Sequence, residues 1–264
     1  MNKSKRVKIL SVPVDMVNAD EAMEIFKELM EEQECSESSL IVTPNSEIIV
    51  NAAKDKELKE LIESAQLIIP DGIGIVYASK IMGIPLKERV TGIDFLEQII
   101  AYLEKTGQSI YFLGSKPAIE AKEEGQEARA SVAEMAALEI LKKYPDLKIA
   151  GTHHGYFKES EESDVVEKIN NSGADFLCVA LGSPKQEKFV NKYKDRLNVK
   201  AAIGVGGSLD VWAGTLKRAP EFYQKNGLEW LYRLIQEPSR YKRMMALPLF
   251  MIKVILSKFT GGKK

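Results

Sequence analysis

The sequence predicts an α/β fold in which helices cover both faces of a mostly parallel sheet. Short apolar runs rich in β-branched residues alternate with helical patterns over most of the 264 residues. Several runs are apolar at every position, which is typical of parallel strands covered on two sides. Strand–helix alternation of this kind favours parallel pairing through crossover helices. The predicted arrangement is therefore Rossmann-like, with a small helical appendage at the C-terminal end.

Seven runs are predicted as strands. In chain order they are VKILSV, SLIVT, QLIIP, SIYFLG, LKIAG, DFLCVALG and VKAAIGVGG. The first helix, EAMEIFKELM, follows the first strand. Asn18 with Glu21 three residues later predicts a capping box at its start.

Later helices have similar start signals. Thr91 with Asp94 predicts a cap for DFLEQIIAYLEK, and Pro184 is expected at the first helical position before EKFVNKYKDRL. Residues 118–143 are highly charged and predict one long solvated crossover helix, or two with a break near Gly125.

Composition excludes several classes of protein. The net charge of -1 argues against a nucleic-acid partner that engages the whole molecule. The two cysteines lie far apart and form no metal or redox motif, which suits a reducing cytoplasm. No stretch has the roughly 18–20 apolar residues that would span a bilayer, and no signal-peptide block follows the basic N-terminus.

The chain changes character near its end, so we predict a catalytic core over residues 1–215 and an appendage over 216–264. From Gly227 onward there are eight Lys/Arg against two Glu, around the apolar run MMALPLFMIKVIL. Basic residues beside an apolar helix indicate an element lying in a membrane surface. The alternative is a C-terminal helix docked on the core. Away from a membrane, the apolar helix predicts a homo-oligomer.

Familiar catalytic motifs are missing. There is no GxxxxGK[ST] loop, no HExxH and no Asp-x-Asp, so we expect neither a metal nor a cofactor. DGIGIVYAS lacks the third glycine of a dinucleotide fingerprint, which leaves a nicotinamide-dependent oxidoreductase as a weak alternative.

The first positive signal is LIIPDGIG, residues 67–74, in which Asp71 ends a buried strand. A carboxylate there is costly unless something pairs or uses it. Ligands of parallel sheets bind beyond the carboxyl ends of the strands, where Asp71 falls. A helix cap is the alternative explanation.

Two further strand ends favour a nucleotide. In LGSPKQEKF, Gly182 and Ser183 lead into a helix whose first amides suit a diphosphate, and Gln186 either contacts the ligand or completes a capping box. In GVGGSLDVWAG, Gly206 lets the backbone approach a ligand and Asp210 suits ribose hydroxyls.

The remaining candidates are Thr43 and Asn45 in IVTPNSEII, and Arg89 in KERVTGIDF. Thr43 and Asn45 offer a hydroxyl and an amide at a strand end, although a helix cap explains them equally well. Arg89 could contact a carboxylate or a phosphate. With no metal motif, protein cations must balance a leaving diphosphate; the arginines available are Arg218, Arg233, Arg240 and Arg243.

Eight stretches together resemble one family. They are TPN, PDGIG, ERVTGIDF, YFLGSKP, HHGYF, LGSPKQE, VGGSLDVWAGTLKRAP and GLEWLYRLIQEPSR. In this order, over roughly residues 7–240, the sequence resembles the WecG/TagA/CpsF glycosyltransferases (glycosyltransferase family 26) and is most similar to the TagA type. The resemblance implies an inverting, metal-independent transfer of N-acetylmannosamine (ManNAc) from a UDP-sugar donor to undecaprenyl-diphosphate-linked GlcNAc, as in wall teichoic acid synthesis.

The resemblance also implies roles for the candidate residues. Asp71 would be the catalytic base, with Thr43 and Asn45 beside the sugar. Gln186 and Asp210 would contact UDP. Arginines of the appendage would act near the diphosphates: Arg233 on that of UDP, with Arg240 and Arg243 nearer the lipid.

Three matters stay open at this point. The donor could carry the uronic acid of ManNAc, for a different envelope polysaccharide. The protein could also be a peripheral scaffold that binds a sugar nucleotide or a lipid diphosphate without catalysis. The expected location is cytoplasmic, peripheral on the inner face of the cell membrane, where the lipid-linked acceptor would lie.

Overall fold

A computed structural model describes residues 4–32, 37–119 and 129–259. Its strands are β1 (Arg6–Ile9), β2 (Val12–Asp15), β3 (Ser39–Val42), β4 (Leu67–Ile68), β5 (Ser109–Gly114), β6 (Lys148–His153), β7 (Phe176–Ala180) and β8 (Ala201–Gly204). Its α-helices are α1 (Ala19–Glu31), α2 (Ser46–Ala52), α3 (Lys56–Ser64), α4 (Ile73–Ile81), α5 (Gly92–Thr106), α6 (Val132–Lys143), α7 (Glu162–Asn171), α8 (Lys185–Tyr193), α9 (Ser208–Trp212), α10 (Glu221–Lys225), α11 (Glu229–Gln236), α12 (Tyr241–Met244) and α13 (Ala246–Phe259).

The main sheet confirms the predicted α/β class. Its strand order is β4-β3-β8-β7-β5-β6, and the pairings β3–β8, β8–β7, β7–β5 and β5–β6 are parallel, with helices around the sheet. Strand β7 is buried at every position, as its uninterrupted apolar sequence predicts.

The first predicted strand has a different place. VKILSV, residues 7–12, includes all of β1 except Arg6 and the first residue of β2, and these two strands form a separate antiparallel hairpin. Leu10 and Ser11 turn the chain between them with φ of 49° and 68°. Asp15 closes the hairpin: its carboxylate, 1% exposed, accepts from Arg6 Nε at 3.0 Å and from the Ile68 amide at 2.7 Å.

Helix boundaries agree with the prediction at α1 and differ elsewhere. Asn18 and Glu21 form the predicted capping box before α1. Helix α8 begins at Lys185, so Pro184 is its N-cap and not its first helical residue.

The helix predicted over 118–143 is shorter than expected. It begins at Val132, because Ser131 and Glu134 form a capping box, and before it Ile119 and Arg129 pair through their backbones. The intervening residues 120–128 lie outside the described part of the chain.

The chain divides into two compact units, each built from separated segments. Unit 1 comprises residues 1–22, 42–91 and 218–264, and unit 2 comprises residues 23–41 and 92–217. The predicted boundary at 215/216 lies close to the unit boundary before Arg218. The segment beyond it is grouped with the hairpin and with the residues around Asp71.

Candidate active site

Unit 2 contains a topological switch point. From β5 the chain continues to β6 on one side, whereas β7 and β8 lie on the other side of β5. In open parallel sheets, ligands bind at the carboxyl ends of the strands where the order reverses in this way. The tripeptide Leu-Gly-Ser stands at the end of β5, as residues 113–115, and again directly after β7, as residues 181–183.

The loop after β5 is tightly packed. Gly114 has φ of +139°, and a Cβ there would lie 2.4 Å from the Ala180 carbonyl oxygen, so only glycine fits. Ser115 donates its amide to the same carbonyl at 3.0 Å and its hydroxyl to Asp210 Oδ2 at 2.8 Å. Ser115 thus orients the predicted ribose-binding carboxylate.

Gln186 has partners within the protein. Its side chain is buried, its Oε1 accepts from the Gly206 amide at 3.1 Å, and its Nε2 donates to Glu187 Oε1 at 2.8 Å. No side-chain cap bond is present at the start of α8, so the capping-box alternative is wrong. Gln186 is therefore hydrogen-bonded to the backbone of the predicted glycine loop.

Gly182 and Ser183 lie between β7 and α8. Gly182 has φ of +77°, and its carbonyl accepts from the Gln186 amide at 3.0 Å. This turn directs the chain from the buried strand into α8, and the free amides at a helix N-terminus are suited to an anion.

Unit 1 holds Asp71. Residues 69–72 follow β4: the Ile69 amide donates to the Val42 carbonyl at 2.9 Å, and the Asp71 amide donates to the Ile69 carbonyl at 2.8 Å. The N-cap of α4 is Gly72, with φ of +92° and no side-chain cap bond. The cap position after the strand is therefore taken by glycine, and Asp71 is half-buried at the mouth of the strand.

Thr43 and Asn45 lie at the end of the neighbouring strand β3. Asn45 Oδ1 accepts from the Ile48 amide at 3.1 Å, so this side chain is the N-cap of α2, the alternative that local sequence left open. Thr43 is buried. A Cβ on Gly72 would lie 3.4 Å from Asn45 Cβ. The loop that contains Asn45 and the loop that contains Asp71 therefore lie side by side.

The C-terminal segment packs onto the start of α4 within the same unit. A Cβ on Gly227 would lie 2.6 Å from Ile73 Cγ1, and a Cβ on Gly74 would lie 2.7 Å from Leu247 Cδ1. The turn before α11 and the start of α13 therefore contact the residues that directly follow Asp71 and Gly72.

Two predicted phosphate ligands form ion pairs in unit 1. Arg89 pairs with Glu229 at the start of α11, and both side chains are mostly buried. Arg243 Nε lies 2.8 Å from Glu47 Oε1. Arg233 lies one turn beyond Glu229, so the two residues share a face of α11. The side chain of Arg240 lies outside the described part of the structure.

Helix α13 has one buried and one exposed apolar face. Phe250 and Val254 are fully buried, whereas Ile252, Leu256 and Phe259 are 55%, 56% and 83% exposed. Among the residues described, no helix is long and apolar enough to cross a bilayer. Over the same residues, no cluster of three or more His, Cys, Asp or Glu could hold a metal ion.

The parallel sheet and its switch point define a Rossmann-like α/β protein. Residues 7–264 match the family described as Glycosyl transferase WecG/TagA/CpsF family. The chain belongs to that family and is a glycosyltransferase. The nicotinamide alternative is therefore wrong.

Curated relatives carry a common name, N-acetylglucosaminyldiphosphoundecaprenol N-acetyl-beta-D-mannosaminyltransferase. The protein of Bacillus spizizenii is 36% identical over 229 residues, which cover 86% of this chain and 83% of that protein. The Bacillus subtilis protein is 34% identical over 82% of this chain and 79% of its own length. The Staphylococcus aureus protein is 32% identical over 97% of this chain and 95% of its own length.

Proposed function

We propose that this enzyme transfers ManNAc from UDP-ManNAc to GlcNAc linked to undecaprenyl diphosphate, forming a β-1,4 bond in the linkage unit of wall teichoic acid. The observation that carries the proposal is the match to relatives named for this transfer over 82–97% of the chain. The family match over residues 7–264 includes all the strand-end motifs from Thr43 to Arg233.

The proposed chemistry is one displacement with inversion. The acceptor's 4-oxygen forms a bond to the anomeric carbon while the bond from that carbon to the UDP oxygen breaks. Asp71 takes the proton of the attacking hydroxyl, and UDP leaves with the electron pair. General-base assistance of this kind contributes on the order of 10²–10⁴ in rate.

Two features support Asp71 in this role. It is half-buried rather than fully buried, directly beyond the end of β4. The N-cap of α4 is Gly72, so Asp71 is not the N-cap residue that the alternative explanation of the sequence required. Thr43 and Asn45 lie on the neighbouring strand end, where they would border the sugar.

The leaving diphosphate needs positive charge or oriented amides. In unit 2, the N-terminal amides of α8 and the backbone around Gly206 are suited to phosphate, and Asp210 is suited to ribose hydroxyls. In unit 1, Arg233 on α11 is the proposed arginine for the diphosphate, since its fork donates two hydrogen bonds to phosphate oxygens.

The deciding experiment measures turnover of UDP-ManNAc on a short-chain lipid-diphosphate GlcNAc acceptor, with and without a chelator. We expect full turnover in the presence of chelator. Asp71→Asn should lower kcat by about 10²–10⁴ and keep UDP affinity. Asp146→Asn, at an exposed site, is the matched control. A requirement for magnesium or manganese, or normal turnover by Asp71→Asn, would contradict the mechanism.

The same assay separates the alternatives. If the enzyme used the uronic acid of ManNAc, UDP-ManNAcA would replace UDP-ManNAc as the better donor. A scaffold without catalytic activity would bind UDP but show no turnover with either donor, and Asp71→Asn would leave its biological function intact.

The exposed face of α13 supports a peripheral location on the inner face of the cytoplasmic membrane. Ile252 and Leu256 project from it, and Lys253 and Lys258 lie on the same helix, as in helices that lie in a lipid surface. Away from lipid, this face favours self-association.

Flotation with anionic vesicles tests this location. Ile252→Glu with Leu256→Glu should abolish flotation, because each charge would have to enter the acyl boundary. Leu138→Glu, at a similarly exposed leucine of unit 2, is the control and should float normally. Flotation of the double variant would exclude α13 as the membrane contact.

Arg233 belongs to both the proposed chemistry and the proposed membrane contact. It lies on α11, in the same C-terminal segment as α13, the helix proposed to contact the membrane. Arg233→Ala should lower turnover strongly on membrane-presented acceptor, and Arg233→Lys should restore only part, because lysine lacks the planar fork. Near-normal transfer by Arg233→Ala would remove this role.

A further inference from the structure

Two buried polar side chains stand at the start of α8, Gln186 and Glu187, and the transfer as proposed above gives Glu187 no role. Gln186 is 3% exposed and Glu187 is 2% exposed. Glutamate is rarely buried to this degree without a charged partner. The pair therefore needs a physical explanation.

Gln186 is held from both sides. Glu187 Oε1 accepts a hydrogen bond from Gln186 Nε2 at 2.8 Å, and this bond turns Gln186 Oε1 toward the Gly206 amide, from which it accepts a hydrogen bond at 3.1 Å. A Cβ on Gly204 would lie 2.5 Å from Gln186 Nε2, so the glycine loop closes directly over the amide. The position of Gly206 thus depends on which way Gln186 faces.

Glu187 has the surroundings of a neutral acid. Its Oε2 is buried, and among the described residues neither this atom nor the buried Ser183 hydroxyl has a hydrogen bond of normal geometry. An ionised carboxylate would leave unpaired charge in this place, which is costly. A proton on Oε2 removes that cost and leaves Oε1 as the carbonyl that accepts from Gln186.

We propose that Glu187 is a positioning residue that works as a protonated acid: by fixing the orientation of Gln186, it sets the Gly206 amide and the course of residues 204–207. Asp210 follows this loop on α9, and its carboxylate is fixed from the other side by Ser115. The consequence for donor binding rests on the proposed function, whereas the control of Gly206 does not.

The electrostatics agree with this assignment. Burial raises the pKa of Glu187 above its ordinary value, and the neighbouring polar groups of Gln186, its own amide and Ser183 act in the opposite direction. All of these groups are uncharged. Of the lysines on the same helix, Lys185 lies over the Phe157 ring, 4.6 Å from its centroid.

The test reads Gly206 directly. Protein labelled with ¹⁵N-glycine gives a spectrum of the 18 glycines, in which Gly206→Ala identifies the resonance of interest. The variants are Glu187→Gln, which keeps an acceptor for Gln186 but cannot ionise, and Glu187→Leu, which has no acceptor. Glu167→Gln, at an exposed glutamate of α7, is the control. UDP affinity is measured by calorimetry on the same samples.

We expect Glu187→Gln to keep the Gly206 resonance and to bind UDP within about twofold of the parent, whereas Glu187→Leu should shift the resonance and weaken UDP binding by roughly 3- to 10-fold, the range for one lost hydrogen bond. As pH rises through the raised pKa, the parent's Gly206 resonance should move and that of Glu187→Gln should not. Glu167→Gln should behave as the parent.

Two results would overturn the inference: an unmoved Gly206 resonance in Glu187→Leu, or equal damage by the glutamine and leucine variants. Unchanged resonances from Gly114 and Gly173 show that unit 2 has kept its fold in each variant. If the parent failed to bind UDP, the proposed function would fail, but the Gly206 resonance in ligand-free protein would still decide the role of Glu187.

Discussion

Replacing Gly227 with alanine tests how firmly the turn before α11 is held against the Asp71 loop. Gly227 has φ of +67°, and a Cβ would lie 2.6 Å from Ile73 Cγ1 and 2.9 Å from Ile73 Cβ. The left-handed backbone costs an alanine roughly 1–2 kcal/mol. Ile73 is β-branched and cannot rotate away freely. Overpacking therefore adds about 1–3 kcal/mol.

Gly83→Ala separates these two costs. Gly83 belongs to the same unit, has φ of +78°, and has open space where its Cβ would be placed. We expect Gly83→Ala to lose about 1 kcal/mol and Gly227→Ala about 2–4 kcal/mol, which corresponds to falls in Tm of roughly 2–4 °C and 5–15 °C.

The assay is thermal unfolding followed by circular dichroism, with limited proteolysis of the folded proteins. Gly227→Ala should also expose the turn before α11 to protease and lower transfer, because Ile73 is two residues from Asp71 and Arg233 lies on α11. Equal losses of stability in the two variants would refute the packing argument, since only Gly227 has a side chain against it.

Three further outcomes are expected. Asp15→Ala should destabilise the protein by about 2–4 kcal/mol in urea unfolding, because Arg6 loses its buried acceptor, with Asp15→Asn less severe; equal values would show that charge and acceptor do not matter there. Ser115→Ala should weaken UDP binding about 2- to 10-fold by freeing Asp210, and an unchanged Kd would exclude that role. Stability should fall as pH rises above 4.5 and through the raised pKa of Glu187, since the folded state holds that proton longer; Glu187→Gln should lack this fall.

The parallel strands were predictable because most are short, largely apolar runs that local composition reveals. The hairpin partner β2 was not, because its turn consists of Leu10 and Ser11. Two-residue hairpin turns with positive φ usually have the sequence Asn-Gly or Asp-Gly, which makes them recognisable. With leucine and serine in those positions, the left-handed turn had no signal, and VKILSV was interpreted as one strand.

The sequence was enough to propose the strand ends as the place of the site, but it did not predict the partners of their side chains. Gln186 with Gly206 and Arg89 with Glu229 are contacts between residues distant in sequence, and local periodicity carries no information on them. Ser115 was missed, although a signal existed: LGS occurs at 113–115 and again at 181–183. These are the two strand ends that flank the switch point.

Unit 1 is assembled from three stretches, the last of which begins at Arg218. While the polypeptide emerges from the ribosome, the loop that contains Asp71 must wait for that stretch before Ile73 and Gly74 gain their covering residues. The segments of unit 2, in contrast, have all been synthesised by Lys217. We therefore expect the half with the nucleotide-type strand ends to fold first during translation, and the half with the proposed base to mature last, so that a nascent chain released early acquires no transferase activity.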